Sequence, residues 1–412
     1  MKIGEFSKIC NITKDTIRYY IKIGLITPSH EKNNIKFSLK DINDIKYIQE
    51  LKKMEFNIKE IQEILKLKRI SNWIEPDIME DYIKILKIKK EYIVAKIINL
   101  ESSLEKLDIE ISKYSSIHPK PGKKIGVPLT ALNLLACPNC KKQLNIENAT
   151  INNNSIFQGN LTCSCGYEAN IKDGILITKN KYTNIYDSPD LQRGLYKNLG
   201  NSFSMGFQKC SNFILNKLKK LDLNNKVILE ANVNGYFFLY NHFTELDNNC
   251  LYIIHDKFPE MLIMYKKLIE YLNLDLNILF IADNSVEYPL KNNCVDILIS
   301  FFGETEFQLY HNMTYIKATK KFYKNNIKVL GAYISIDKNS KTRKLILKKY
   351  PEAGKEYSYN FAKTQEEYQK ENFNLLCNKF LVNSNATLNF ASSCYSEKDP
   401  LYLYTFLGEK VK

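Results

Sequence analysis

Residues 79–114, MEDYIKILKIKKEYIVAKIINLESSLEKLDIEISKY, decide how the rest of the chain divides. Met79, Ile83, Leu86, Ile93, Ile97, Leu100, Leu104, Leu107, Ile111 and Tyr114 recur in steps of three and four, with Lys90 as the one interruption. That spacing predicts a single long helix of about ten turns carrying an apolar seam. A seam needs a partner, and no second helix of similar length stands nearby in sequence. The simplest partner is the same helix of a second chain, parallel or antiparallel, which makes a homodimer. The other reading packs the helix on the chain's own C-terminal part. Around this rod the chain divides into residues 1–70, the dimerisation helix within 71–117, a linker at 118–128, a small cysteine domain at 129–182 and a large body at 183–412.

The bulk numbers allow this division. A chain of 412 residues suggests two to four domains, and 44% apolar residues suffice for real cores. There are 59 Lys and Arg against 45 Asp and Glu, a net charge of +14. Residues 1–70 hold 15 basic and 9 acidic side chains, an excess suited to a phosphate backbone. Lys is abundant throughout, so charge alone is weak support. No run reaches about 18 apolar residues, which argues against a membrane partner. Met1 leads at once into a polar, helix-like stretch rather than a leader. Of ten cysteines, four cluster and six are scattered, which fits a reducing compartment and a cytoplasmic protein.

Residues 3–9 read as a short amphipathic helix. Asn11 breaks it and Thr13 caps the next, which turns Ile17, Tyr20, Ile21 and Ile23 inward. Gly24 ends that second helix and Pro28 forbids its resumption. Two short helices joined by a tight turn make a helix-turn-helix. EKNNIKFS (31–38), with a turn at Asn33-Asn34, reads as a hairpin wing. Ser38 caps a third helix over 39–54, and a fourth runs from Ile58 to Leu67. Trp73, the only Trp, is expected to wedge this reader against the rod.

The ordered set IGEFSKICNITKDTIRYYIKIGLITPS (3–29), a wing, then FNIKEIQEIL (56–65) resembles the MerR family of dimeric transcription regulators. The resemblance implies double-stranded DNA as partner, with the second helix in the major groove and the wing on the flanking backbone. Carried over by position, Lys14, Asp15, Thr16, Arg18 and Tyr19 face DNA, with Arg18 and Tyr19 gripping phosphates. Lys36 matches the basic wing residue, in Asn34-Ile35-Lys36-Phe37, although the family's wing glycine is missing. The resemblance also places an antiparallel dimerisation coil where the seam sits.

LLACPNCKKQL (134–144) and LTCSCGYEANIKDGILIT (161–178) bring two cysteine pairs, Cys137 and Cys140, then Cys163 and Cys165. Four thiolates from two turns suit a closed tetrahedral site, so a structural zinc is expected. The segment resembles the zinc ribbon that precedes certain methyltransferases, including rRNA guanine methyltransferases. Those enzymes use a His in the second pair, and this chain has Cys.

From Lys226 strand and helix signals alternate: KVILEA, LYIIHD, FPEMLIMYKKLIEYLNL, NILFIAD, CVDILISFF, IKATKKFYKN and IKVLGAYISI. The rhythm predicts an α/β, Rossmann-like, mostly parallel sheet with ligands at the carboxyl ends of strands. Residues 225–337 resemble the class I S-adenosylmethionine-dependent methyltransferases. The resemblance places Asp256 on the ribose hydroxyls, Asp283 with Asn284 near the adenine, and Asp296 in the fourth-strand motif. Glu230 keeps the acid before the glycine loop, but the loop reads Ala231-Asn232-Val233-Asn234-Gly235-Tyr236 and has lost much of its glycine. Glu230, Asn232, Asn234, Gly235, Asp256, Asp283 and Asn284 are the candidate cofactor-binding residues, with S-adenosylmethionine the cofactor the resemblance implies. No catalytic base or nucleophile stands out, and the reading leans away from an enzyme. Phe203, Met205 and Phe207, in 187–210, are expected to form a lid or a capping helix. KTRKLILKK (341–349) is expected to be a basic helix facing nucleic acid or solvent, with solvent preferred, and YLYTFLGE (402–409) a last edge strand. The leading reading is a MerR-type regulator whose methyltransferase-like body senses a small-molecule ligand. The alternative is an active methyltransferase, acting on RNA or a small molecule, fused to a DNA reader.

Overall fold

The computed structural model describes residues 1–31, 34–71, 74–115, 122–180, 188–197, 200–247, 249–350, 353–382 and 399–411. Trp73, Asn33 and residues 118–121 of the expected linker lie outside this set. The chain forms two compact units, Met1–His118 and Pro119–Lys412.

The first unit runs α1 (Ile3–Cys10), α2 (Lys14–Lys22), β1 (Ser29–Glu31), β2 (Asn34–Lys36), α3 (Leu39–Lys53), α4 (Ile58–Ser71) and α5 (Pro76–Ser115). Asn11 ends α1 in the left-handed region at φ 51°, which Asn tolerates better than most residues. Thr13 accepts the Thr16 N–H to start α2, and Gly24 follows α2 at φ +75°. Ser38 and Asp41 form a reciprocal capping box at α3. The wing pairs antiparallel, Ser29 to Lys36, and Phe37 just beyond it stacks on Phe6 at 4.1 Å between ring centroids. Phe6, Ile17, Ile45, Ile48, Leu51, Ile61 and Ile64 are fully buried and make the core.

Helix α5 spans 40 residues, about 60 Å at 1.5 Å per residue. Its first half is already used. Tyr82, Ile85 and Leu86 pack on the reader core, and Lys89 is buried with both Glu60 carboxylate oxygens 2.7 Å away. Leu86, assigned above to the seam, therefore faces the chain's own reader. The later seam is exposed: Ile97 by 48%, Leu100 and Leu104 by 60%, Ile111 by 61%.

The second unit begins with β3 (Val127–Pro128), β4 (Asn145–Asn152), β5 (Ser155–Thr162), β6 (Glu168–Lys172) and β7 (Ile175–Thr178), then α6 (Gly194–Lys197) and α7 (Asn201–Leu218). It continues β8 (Val227–Ala231), α8 (Phe238–His242), β9 (Leu251–Asp256), α9 (Pro259–Glu270), β10 (Asn277–Ala282), β11 (Val295–Phe301), α10 (Gly303–Phe307) and α11 (Tyr315–Thr319). It ends with β12 (Tyr323–Ile336), α12 (Lys341–Lys349), α13 (Phe361–Lys370), β13 (Phe373–Val382) and β14 (Leu401–Lys410). The sheet order is β13-β14-β12-β11-β8-β9-β10-β7-β6-β5-β3, with β4 on β5. Strands β12, β11, β8, β9, β10 and β7 are mutually parallel, and the strands outside them pair antiparallel. The expected parallel α/β sheet is present. Its order reverses between β8 and β11, the place where doubly wound sheets open a ligand crevice.

Two expectations need correction. The strand over 402–409 is interior rather than an edge, because β14 pairs with both β12 and β13. The segments read as separate, 129–182 and 183–412, share one sheet, because β7 pairs in parallel with β10.

Candidate functional site

On the reader, α2 presents Lys14, Asp15, Arg18 and Tyr19 to solvent, while Ile17 and Tyr20 anchor its other face. Arg18 donates to Asp15 at 2.8 Å, and both side chains are exposed. Such a surface pair is weak, about 0–1 kcal/mol, so the guanidinium can exchange partners at little cost. Thr16 is half-buried and engaged with the Thr13 hydroxyl at 2.8 Å. Lys36 is exposed on β2. The turn after α2 is held from α4, where Arg69 donates to the carbonyls of Gly24 and Leu25.

The four clustered cysteines do converge. The sulfur atoms of Cys137, Cys140, Cys163 and Cys165 lie within 4.8 Å of one another, with Cys137–Cys165 and Cys140–Cys163 each at 3.4 Å. A regular tetrahedron with Zn–S near 2.3 Å requires about 3.8 Å between sulfurs. Each pair sits on a tight turn: the Lys141 N–H donates to the Cys137 carbonyl, and the Gly166 N–H to that of Cys163. Lys141 and Gly166 have φ of 63° and 87°. The Cys165 N–H helps hold the Cys163 thiol down to about 6, which favours the thiolate a metal binds. All four positions are sulfur, so this donor set fits a zinc ion with no position left for substrate.

The crevice at the carboxyl ends of β8 and β11 differs from the sequence expectation. Aromatic rings cluster there. Tyr236, Phe302 and Phe203 are buried, with centroids 5.4 Å apart for Tyr236–Phe302 and 6.3 Å for Phe203–Phe302. Phe207 closes on Tyr236 at 5.1 Å and on Phe301 at 4.8 Å. Phe203 and Phe207, expected as a lid, thus pack on residues that follow β8 and end β11, while Met205 is exposed. Gly303 allows the close approach here, since a Cβ would stand 2.5 Å from the Ala231 carbonyl oxygen.

The retained acids are occupied as well. Glu230 accepts the N–H groups of Phe238 and Leu239, and burial pushes its carboxyl up to about 8. Asp256 accepts from Asn234 N at 2.7 Å and Phe258 N at 2.9 Å; burial and nearby Glu306 raise it to about 7. Asp283 accepts from Thr178, Asn180 and Ser285. Asp296 lies at the start of β11, where it accepts the Val227 N–H and pairs with Lys324. Asn234 is spent on the preceding segment, accepting Asp190 N and donating to Ser188 O. Gly235 N donates to Glu306, which also pairs with Lys257 at 3.2 Å. Asn232 takes φ +60° and donates to the His255 and Gly303 carbonyls. Among the described residues, a cleft of about 20 Å³ lies beside Asn232, His255, Lys257, Asp283, Asn284 and His311, room for little more than a water. His311 is stacked on Phe307 at 3.9 Å.

The family described as MerR HTH family regulatory protein matches residues 1–68. Residues 1–68 form a MerR-type helix-turn-helix domain. Over 71 residues the chain is 32% identical to a heavy metal-dependent transcription regulator 2 of Rhizobium meliloti, covering 17% of this chain and 48% of that one. Over 66 residues it is 32% identical to a mercuric resistance operon regulatory protein of Bacillus cereus, covering 16% and 50%. The chain thus spans about half the length of the curated relatives it matches. The second unit shares 12% identity with a Haemonchus contortus phosphoethanolamine N-methyltransferase 2, over 49% of this chain and 52% of that one, at TM-score 0.38.

The MerR domain was legible in its ordered motif. The aromatic cluster was less so. Phe203 and Phe207 are expected as a lid and Tyr236 stands in the glycine loop, but nothing local in the sequence brings Phe302 to them. Thr178 and Asn180 were missed as partners of Asp283, because nothing local ties β7 to a strand end about a hundred residues later.

Proposed function

We propose that this protein is a DNA-binding transcription regulator of MerR type, acting as a homodimer, whose second unit is a receptor for a small polar ligand and not a working methyltransferase. The observation that carries the regulator reading is the capped α2 of the MerR domain, with Lys14, Arg18 and Tyr19 exposed on one side and Lys36 exposed on the wing. In this account α2 enters the major groove. Arg18 leaves Asp15 for a phosphate, Tyr19 grips the backbone beside it, and Lys36 neutralises the flanking strand. The exposed seam of α5 closes on a second copy, which presents two readers to two half-sites.

The receptor reading draws support from the polar cleft at the carboxyl ends of the parallel strands, lined by Asn232, Lys257, Asp283 and His311. The zinc ribbon, continuous with the sheet at β7, is a structural support in this account. The second reading, an active S-adenosylmethionine-dependent methyltransferase, is favoured by the acids kept at the ends of β8, β9 and β10. Against it stands the aromatic cluster at the switch point.

The reader is tested with Arg18→Ala in the full chain, by anisotropy on a mixed-sequence duplex and on duplexes selected from a random pool. Binding should weaken on both, and the salt slope should fall by about 0.9 for each phosphate that is no longer neutralised. Unchanged affinity at low salt would remove Arg18 from the interface.

A further inference from the structure

We infer that the exposed face of α12 and the loop beside it form a second DNA-backbone surface, separate from the MerR domain. Residues 338–355 contain seven basic side chains and one acidic one. Lys338, Lys341, Lys344, Lys348 and Lys355 are all exposed and, among the described residues, none makes an ion pair. Lys219, Lys257, Lys266, Lys324 and Lys328 each hold a carboxylate within 3.2 Å. Five exposed lysines without a carboxylate partner within residues 338–355 concentrate positive potential here.

The helix places the charges in register. Lys341, Lys344 and Lys348 lie at i, i+3 and i+7, one stripe opposite buried Arg343 and Ile346. The stripe runs about 10 Å along the axis, a length over which one DNA strand presents about three phosphates. Arg343 fixes the neighbouring loop, donating to the carbonyls of Ser358 and Lys355, so the Lys355 backbone is tied to the helix. Lys338, Lys355 and Asn360 line a cleft of about 310 Å³ at that end. Glu356 and Glu366 also line it and are engaged with Lys363. Lysines without bidentate acceptors or stacking rings along the stripe suit a backbone contact that carries no sequence information. Duplex DNA as the partner rests on the reading of residues 1–68 as a DNA reader, since a tethered second contact raises the effective concentration of the first.

The test compares the full chain with Lys341→Gln/Lys344→Gln/Lys348→Gln, by anisotropy on a mixed-sequence duplex between about 50 and 200 mM salt. The three positions are exposed, and the Arg triple at the same sites is the charge-retaining control. The Gln triple should lower the salt slope by up to about 2.7, and the Arg triple should keep it. The same drop should persist with Arg18→Ala/Tyr19→Ala in the background, which separates this surface from the reader. An unchanged slope and affinity in both backgrounds would overturn the inference. So would a Gln triple that loses single-stranded RNA binding while duplex binding stays intact.

Discussion

Glu304 illustrates how a single residue records the cost of this fold. It is fully buried near the start of α10, and accepts the Tyr315 N–H at 2.8 Å and the Gln308 side-chain amide at 2.9 Å. Burial pushes its carboxyl up to about 7. The ordinary value in an unfolded chain is near 4.3, so the native state binds the extra proton between these limits. Stability from this group is therefore present at low pH and is lost as pH rises from about 4.5 to 7. Glu304→Gln keeps an acceptor for Tyr315 and removes the titration. Urea unfolding across pH should show a shallower fall for the variant in that window; an equal slope would mean that Glu304 ionises in the native state as freely as in water. Residue-level legibility followed the same physics. Asp256 was identifiable from HDKFPEM as a strand-end acid. That its carboxylate would be spent on Asn234 N was not, because the partner belongs to a loop whose path depends on Tyr236 packing.

At the scale of elements, two predictions belong to the rod and the ribbon. The second half of α5 exposes Leu100 and Leu104 by 60% each, with no cover from its own unit. Leu100→Lys/Leu104→Lys should shift the protein to monomer by light scattering and leave the reader folded. A dimer of unchanged dissociation constant would refer association to another surface. In the ribbon, four sulfurs within 4.8 Å would repel as thiolates without a metal. Chelation should release one zinc per chain, detected by a metallochromic dye, and loosen residues 137–178 in hydrogen exchange. Zinc-free native protein with an unchanged exchange pattern would refute the metal site. The rod was readable because a 3.6-residue period leaves a trace over forty residues. Its division of labour was not, since Tyr82, Ile85 and Leu86 follow the same period whether they meet a second chain or their own reader. The knuckles were readable from spacing alone. The antiparallel insertion of β14 inside β13 was not, because strand order leaves no periodic signal in sequence.

The whole molecule joins a MerR domain to a body of α/β type, and we propose that aromatic side chains close the switch point of its sheet. Fold class was open to sequence reading because the parallel strands are continuous apolar runs broken by amphipathic helices. The state of the crevice was harder to read, since it depends on Phe203, Tyr236 and Phe302 meeting from three distant parts of the chain. That closure is the central claim, and isothermal titration of the folded protein with S-adenosylmethionine, and in parallel with S-adenosylhomocysteine, tests it most directly. The account predicts no saturable heat from either compound in the micromolar range. Stoichiometric micromolar binding would contradict it, reopen the switch point as a cofactor site and make the methyltransferase reading the better one.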